Sequence, residues 1–167
     1  MELEPRRRQE LLAIGFLLAG IFVGLALLPI DVTGPLGRGF GRFLWTYMGA
    51  GAALLPVLGF ALALAGFGRL PIISMGRVGV LCGGLMVLAP FAIAVVTGVR
   101  SVADFPPSYA DWGPVERLVG IVPAFMTVLI SGAIGTAGAV IVGLLGLSVL
   151  TVHTLDWHPF RRLTVKD

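Results

Sequence analysis

Residues Gly49-Ala50-Gly51-Ala52-Ala53 open a long apolar run, and Gly135-Thr136-Ala137-Gly138-Ala139 open another. An amphipathic segment precedes each of these stretches. That segment follows a Gly-Pro pair, Gly34-Pro35 in the first half of the chain and Gly113-Pro114 in the second. A further apolar run precedes each pair. The pattern predicts two similar helical hairpins, each with a spanning helix, a Gly-Pro turn, an amphipathic stretch and a second spanning helix.

The composition indicates a membrane protein. The chain of 167 residues is 57% hydrophobic and 13% charged, and its mean hydropathy is +0.98. A soluble domain of this size cannot bury so much apolar surface. A bilayer core of about 30 Å requires roughly 20 apolar residues per helix. Four stretches without a charged residue meet that requirement: residues 11–30, 43–68, 78–99 and 118–155.

We expect an all-α membrane domain over residues 10–157. Its predicted spans are residues 11–30, 49–68, 78–99 and 135–154, and its predicted amphipathic segments are residues 36–48 and 114–131. The first span ends without a small-x-small cleavage site, so we expect it to be retained rather than removed as a signal peptide. A basic N-terminus over residues 1–9 and a tail over residues 158–167 flank the domain.

The amphipathic segments are expected to lie in the membrane plane, because each has an apolar stripe beside polar residues. In the first segment the stripe lies opposite Arg38, Arg42 and Thr46 and consists of Leu36, Phe40, Phe43, Leu44 and Tyr47. In the second it consists of Val115, Leu118, Val119, Val122, Phe125, Met126 and Leu129. Two alternatives stay open. The segments could be the first turns of spans two and four, or a hinge at residues 132–135 could create a fifth span.

The basic residues predict that both termini are cytoplasmic. Eight of them fall on the side of the termini and four on the opposite side, which also holds Asp31, Asp104, Asp111 and Glu116. Excess Lys and Arg mark the cytoplasmic side of a membrane protein. The four residues on the opposite side are Arg38, Arg42, Arg100 and Arg117.

Small residues are expected to hold the spans together, because close backbone approach drives helix association in lipid. The candidate packing positions are Gly20, Gly24, Gly79, Gly83, Gly135 and Gly138. We expect Gly135→Leu and Gly138→Leu to disturb the bundle or its oligomer. Pro56 and Pro90 lie inside spans two and three and predict kinks. The lone cysteine, Cys82, excludes an internal disulfide.

The sequence predicts no enzyme in this chain. The spans contain no Asp, Glu, Lys or Arg, which argues against an ion path or a proton relay. A phosphate-binding loop requires Gly-x-x-x-x-Gly-Lys-Ser/Thr, and the only lysine, Lys166, stands next to the last residue. His153 and His158 have no carboxylate or thiolate cluster beside them. We therefore expect no metal and no cofactor in this chain.

The chain resembles the N-terminal four-span membrane region of FtsK/SpoIIIE DNA translocases. The likeness begins at the basic lead-in Arg6-Arg7-Arg8-Gln9-Glu10-Leu11-Leu12. It continues through Gly34-Pro35-Leu36-Gly37 and through Gly49-Ala50-Gly51-Ala52-Ala53-Leu54-Leu55-Pro56. It ends with Gly135-Thr136-Ala137-Gly138-Ala139, Leu150-Thr151 and Asp156-Trp157.

This resemblance implies an anchor in the bacterial cytoplasmic (inner) membrane at the division septum. In that family the membrane region holds a cytoplasmic, ATP-driven hexameric motor that pumps chromosomal DNA, and it also supports divisome assembly. The resemblance thus implies a homo-oligomer, divisome membrane proteins as partners, and DNA contact only through a motor that this chain lacks. ATP and Mg²⁺ would belong to that missing motor. The alternatives are a small transporter or channel subunit, or an accessory integral membrane protein.

Overall fold

The computed structural model describes residues 5–29, 32–67 and 75–155, and within these ranges it contains helices and no strand. The α-helices are α1 (Pro5–Leu27), α2 (Gly34–Met48), α3 (Leu54–Gly66), α4 (Met75–Thr97), α5 (Pro114–Val119) and α6 (Ile121–Leu155). Two 3₁₀ segments, Gly49–Ala53 and Tyr109–Asp111, complete the helical structure. The predicted tail, the Asp156-Trp157 pair and the first four residues of the basic N-terminus lie outside the described residues.

Four helical stretches are long and apolar enough to cross a membrane: Gln9–Leu27, Gly34–Gly66, Gly76–Thr97 and Ile121–Thr154. The prediction of an all-helical chain with four helices that could span a membrane is confirmed. The second and fourth stretches contain 33 and 34 residues, well above the roughly 20 that one span requires.

A glycine with positive φ interrupts each of the two long stretches. Gly49 has φ 54° and Gly135 has φ 76°, a backbone region that glycine enters at no steric cost. These glycines coincide with the predicted starts of spans two and four. In the first long stretch the interruption continues as the 3₁₀ segment Gly49–Ala53, so α2 and α3 are separate helices.

Helices α1 and α3 pack through glycines, and their contacts run in opposite directions along the two helices. Gly20 faces Gly59, and Gly24, one turn later in α1, faces Pro56, which is earlier in α3. A Cβ built on Gly59 would lie 2.6 Å from Gly20 Cα. This is backbone-to-backbone contact of the kind that small residues allow between helices in lipid.

Helices α4 and α6 also pack in opposite directions, but large side chains fill the spaces beside the glycines. Gly84 faces Leu150, Gly146 faces Leu88, and Gly143 faces Phe91. Near the other end of the pair, a buried cluster joins the two helices and consists of Phe91, Val95 and Ala139. Helix α3 also contacts α4, so the four long helices form one connected bundle.

A further interruption, at Gly120, divides the predicted amphipathic segment over residues 114–131. Helix α5 ends at Val119, and Gly120 has φ 73° and ψ 168°, a combination essentially restricted to glycine. Helix α6 begins at the next residue. The sequence pattern predicts that Val115 and Phe125 share one continuous helical stripe. The structure differs, because the break at Gly120 separates the two residues.

The glycine spacing repeats between the two halves. Gly120 and Gly135 are as far apart in the sequence as Gly34 and Gly49, and all four have positive φ. By its positive φ and its spacing to the next such glycine, Gly34 in the first half corresponds to Gly120 in the second. Gly113, the partner that the Gly-Pro pairs had indicated, has an ordinary φ of −72°. The second half therefore has additional chain, including α5, between its first long helix and the equivalent glycine.

The additional chain is ordered around Trp112, which is buried although it lies in a loop. The Trp112 Nε1–H donates a hydrogen bond of 2.8 Å to the Pro106 carbonyl oxygen. The Phe105 and Tyr109 rings each stand 5.1 Å from the Trp112 ring. Asp104 and Asp111 are exposed, as expected for solvated loop charges.

Candidate functional site

The two halves of the chain meet where Gly49 lies against Gly120. A Cβ built on Gly120 would overlap the Gly49 amide nitrogen and lie 2.9 Å from the Met48 carbonyl carbon. A Cβ on Gly49 would overlap the Leu118 carbonyl oxygen. The chain just after α2 and the end of α5 therefore meet backbone to backbone at this crossing, and neither glycine has room for a side chain.

The 3₁₀ segment next to the crossing is buried between α4 and α5. Ala52 is completely buried, and a Cβ on Gly51 would overlap the Met86 carbonyl oxygen of α4. The predicted motif Gly49-Ala50-Gly51-Ala52-Ala53 thus forms a contact between the halves. Large residues here would push apart α4 and the 3₁₀ segment.

The other predicted packing residues of the first half have different surroundings. Gly34 has positive φ and open space at its Cβ position, and Pro35 follows it in the first turn of α2. Gly37 is buried against the Thr33 side chain. Pro56 packs near Gly24 of α1.

The predicted packing residues of the second half are more open. Gly79 and Gly83 of α4 have nothing within 4 Å of their Cβ positions, and the same holds for Gly135. The three atoms nearest a Cβ on Gly138 all belong to Ile134, a side chain of α6 itself. Among the described residues, therefore, Gly79, Gly83 and Gly135 make no close helix-to-helix contact.

Helix α2 has three distinct faces. Its buried face consists of Gly37, Gly41 and Leu44, whereas its arginines Arg38 and Arg42 are exposed. The third face is apolar and remains exposed, with Leu36 at 87% and Phe43 at 55% of full accessibility. We call it the α2 apolar stripe; its members are Leu36, Phe40, Phe43 and Tyr47. Of the predicted stripe, only Leu44 packs against the rest of the chain.

Helix α2 crosses the end of α1 and completes its hydrogen bonding there. A Cβ on Gly41 would overlap the Ala26 carbonyl oxygen, so the two helices meet backbone to backbone. The Trp45 Nε1–H donates a hydrogen bond of 3.1 Å to the Leu27 carbonyl oxygen, one of the last carbonyls of α1. Such terminal carbonyls have no partner within their own helix.

Beside this contact lies a groove of about 580 Å³, which we call the arginine groove. Its polar residues are Arg38, Arg42, Arg117 and Tyr109, and its apolar walls include Leu27 and Leu118. The guanidinium carbons of Arg42 and Arg117 stand 5.9 and 5.7 Å from the Tyr109 ring centroid. The groove thus unites α2, the Tyr109 loop and α5 at the end of the bundle where α1 stops.

The described residues offer no arrangement for acid–base or metal chemistry. No group of three His, Cys, Asp or Glu residues that could hold a metal ion occurs among them. His153 is exposed, and the buried hydroxyls of Thr127 and Thr154 donate to carbonyls of their own helix. What the arrangement can do is pack helices closely and present cationic groups next to an apolar surface.

Sequence reasoning missed several residues that build these sites. Gly41 and Gly59 make close backbone contacts, but nothing in the sequence separates them from the other glycines. Gly120 did carry a signal, because its spacing to Gly135 repeats that of the first half. Tyr109 carried no signal in the sequence, since its contacts with Arg42 and Arg117 depend on the fold.

Comparison of the chain with protein-family models, with curated proteins and with solved structures gives no match.

Proposed function

We propose that this chain is a membrane-anchoring and oligomerisation domain, and that it belongs to an FtsK-like DNA translocase acting at the division septum. The single observation that carries the anchoring role is the set of four helices that could span a membrane. The translocase assignment is supported by the sequence resemblance, from the basic lead-in through the two glycine motifs.

The exposed surface favours an anchor over a channel subunit. Large apolar side chains remain exposed along the long helices, including Leu18 at 61% and Leu144 at 60% of full accessibility. In a bilayer they would contact lipid tails. The hydroxyls of Ser148 and Thr151 donate to carbonyls of α6 itself, so their hydrogen-bond donors are satisfied within the helix.

Two features of the pairwise packing support the topology of this proposal. Helices α1 and α3 contact each other in opposite directions, and so do α4 and α6. We propose two hairpins with both termini in the cytoplasm, in agreement with the eight basic residues on that side. A cytoplasmic end after α6 is what attachment of a cytoplasmic motor requires.

Oligomerisation is supported by small residues left open on the outside of α4. Gly76, Gly79 and Gly83 have nothing within 4 Å of their Cβ positions. In lipid, such a surface allows another helix to approach closely. We propose that this face of α4 contacts a neighbouring subunit in a homo-oligomer, for which the family resemblance implies a hexamer.

The first test is the position of a C-terminal fluorescent fusion in dividing cells of the source bacterium. A band at midcell would agree with a septal anchor. Uniform membrane fluorescence from a stable, full-length fusion would contradict the septal role and leave a transporter or accessory membrane protein as the alternative. A fusion carrying Gly120→Leu is a suitable control for folding, since that change collides with Gly49 and should lower the amount of full-length fusion.

The translated reading frame gives an independent check of the translocase assignment. A charged linker rich in Pro and Gln, followed by Gly-x-x-x-x-Gly-Lys-Ser/Thr, should occur downstream if the motor is in cis. A downstream sequence with neither feature would contradict an attached motor. The septal localisation experiment would then separate a stand-alone anchor from an unrelated membrane protein.

A further inference from the structure

The arginine groove concentrates positive charge at one place. Arg42 and Arg117 both stand within 6 Å of the same Tyr109 ring, so their guanidinium carbons are separated by less than twice that distance. The groove therefore presents two guanidinium groups around one aromatic ring, and both can take part in binding an anion.

The described residues give these two arginines no acidic partner. The described residues that line the groove include no Asp or Glu. Arg117 donates a hydrogen bond of 3.1 Å to the Ala110 carbonyl oxygen, which holds its side chain in place but leaves its charge uncompensated. Arg42 is exposed and contacts the Tyr109 ring. Both guanidinium groups therefore retain donors for an anionic ligand.

The remaining walls of the groove are apolar and lie next to a surface suited to lipid. Leu27, Leu28 and Leu118 line it, and the last two are about half exposed, at 50% and 43%. The rings of Trp45 and Tyr109 complete it, and such rings are enriched where headgroups meet acyl chains. The groove therefore combines exposed apolar side chains with cationic groups.

We propose that the arginine groove binds the headgroup phosphate of an anionic phospholipid in the leaflet opposite the termini. Arg42 and Arg117 bind the phosphate oxygens, because a guanidinium matches phosphate geometry with two parallel hydrogen bonds. The acyl chains lie along Leu28 and Leu118. This inference requires only that the long helices lie in a bilayer, and it holds whether or not a DNA motor is attached.

The test measures lipid binding to the purified full chain in detergent, by native mass spectrometry. Phosphatidylglycerol and phosphatidylcholine with identical acyl chains are compared, with Arg42→Gln as the variant. Arg100→Gln is the matched control, because Arg100 is an exposed arginine outside the groove. We expect phosphatidylglycerol to bind at least tenfold more tightly than phosphatidylcholine, and Arg42→Gln to weaken it about tenfold, whereas Arg100→Gln changes it less than twofold.

Inorganic phosphate separates a lipid site from a site for a soluble anion. We expect phosphate at millimolar concentration not to displace phosphatidylglycerol, since it has no acyl chains to bury. Displacement by phosphate, equal binding of the two lipids, or an equal loss in Arg100→Gln would each overturn the proposal. If Arg42→Gln aggregates, Arg117→Gln provides the same comparison. Arg42→Lys should weaken binding less than Arg42→Gln, because it keeps the charge but loses the two parallel hydrogen bonds.

Discussion

At the scale of single residues, substitutions at three glycines can distinguish the effect of backbone strain from the effect of steric crowding. Gly120 has positive φ and lies against Gly49, whereas Gly135 has positive φ but open space around it. Gly132 has neither a positive φ nor a crowded Cβ position. All three lie within a short part of the chain, at or inside α6, so substitutions at them can be compared directly.

We predict that alanine at these positions destabilises the protein in a fixed order. Gly120→Ala should be the most damaging, because it adds a collision with Gly49 to a backbone strain of about 1–3 kcal/mol. Gly135→Ala should cost the strain alone. Gly132→Ala should be neutral or stabilising by up to about 1 kcal/mol, because alanine favours helix. The midpoint of thermal unfolding in detergent, followed by circular dichroism, measures the order.

Equal midpoints for Gly120→Ala and Gly135→Ala would show that the crossing tolerates a methyl group and that the close approach of the halves is not needed for stability. The expected effect of Gly135→Leu has a different cause from the helix packing that the sequence suggests. Its open surroundings mean that leucine would act through the backbone conformation of Gly135 rather than through contact with a second helix.

At the scale of elements, α2 shows why hydropathy predicts some faces and not others. Its apolar stripe was recognisable from the sequence, but the face that packs on α1 meets it through Gly41. A protein interior differs in polarity from water but not from the lipid tails of a bilayer. Periodicity therefore identifies the polar face of a membrane helix and leaves the division between lipid and protein contacts undetermined.

The four long apolar helices themselves could be predicted, because each must cover about 30 Å of hydrocarbon. The breaks at Gly49 and Gly135 could also be anticipated as the ends of amphipathic segments. The break at Gly120 could be anticipated only from its spacing to Gly135. The contact of Gly120 with Gly49 and the arginine groove could not be predicted, because both join residues far apart in the chain.

The contact between α2 and α1 leads to a prediction about Gly41. A methyl group there would overlap the Ala26 carbonyl oxygen, so Gly41→Ala should lift α2 away from α1 and weaken the bond from Trp45 to Leu27. Gly39→Ala, two residues earlier in the same helix, is the matched control, since its Cβ position is open.

Hydrogen–deuterium exchange of α2 amides measures this effect. We expect at least tenfold faster exchange across α2 in Gly41→Ala, corresponding to about 1.4 kcal/mol of lost protection, and slower or unchanged exchange in Gly39→Ala. Exchange that rises equally in both variants would mean that α2 is held by its apolar stripe and not by its glycine face.

At the scale of the whole molecule, the chain contains two kinds of glycine surface. One kind, such as Gly20 against Gly59, is fully used inside the single chain. The other, Gly79 and Gly83 on α4, faces outward without a close neighbour. A glycine costs about 1 kcal/mol of helix stability relative to alanine. An outward-facing row of glycines therefore weakens α4 within the monomer, and contact with a second copy would offset that loss.

We predict that Gly83→Leu lowers the oligomer size without unfolding the chain, because its Cβ position is open within the monomer and blocked only by a neighbouring subunit. Gly15→Leu is the matched control. Gly15 is equally open on α1, but Leu11 and Leu18 beside it already prevent close approach. Gly59→Leu should instead destroy the fold, since Gly20 occupies the space.

Multi-angle light scattering of detergent-purified protein gives the oligomer mass, and thermal unfolding of the same samples gives the stability. If the anchor assembles through α4, the oligomer mass should fall in Gly83→Leu. The unfolding midpoint of this variant should stay within a few degrees of that of the parent protein. If Gly83→Leu and Gly15→Leu have the same mass as the parent, α4 does not form the subunit contact. Oligomerisation would then have to use another surface, and the apolar groove of about 170 Å³ between α4 and α6, lined by Val96, Val140 and Leu144, would be the next to test.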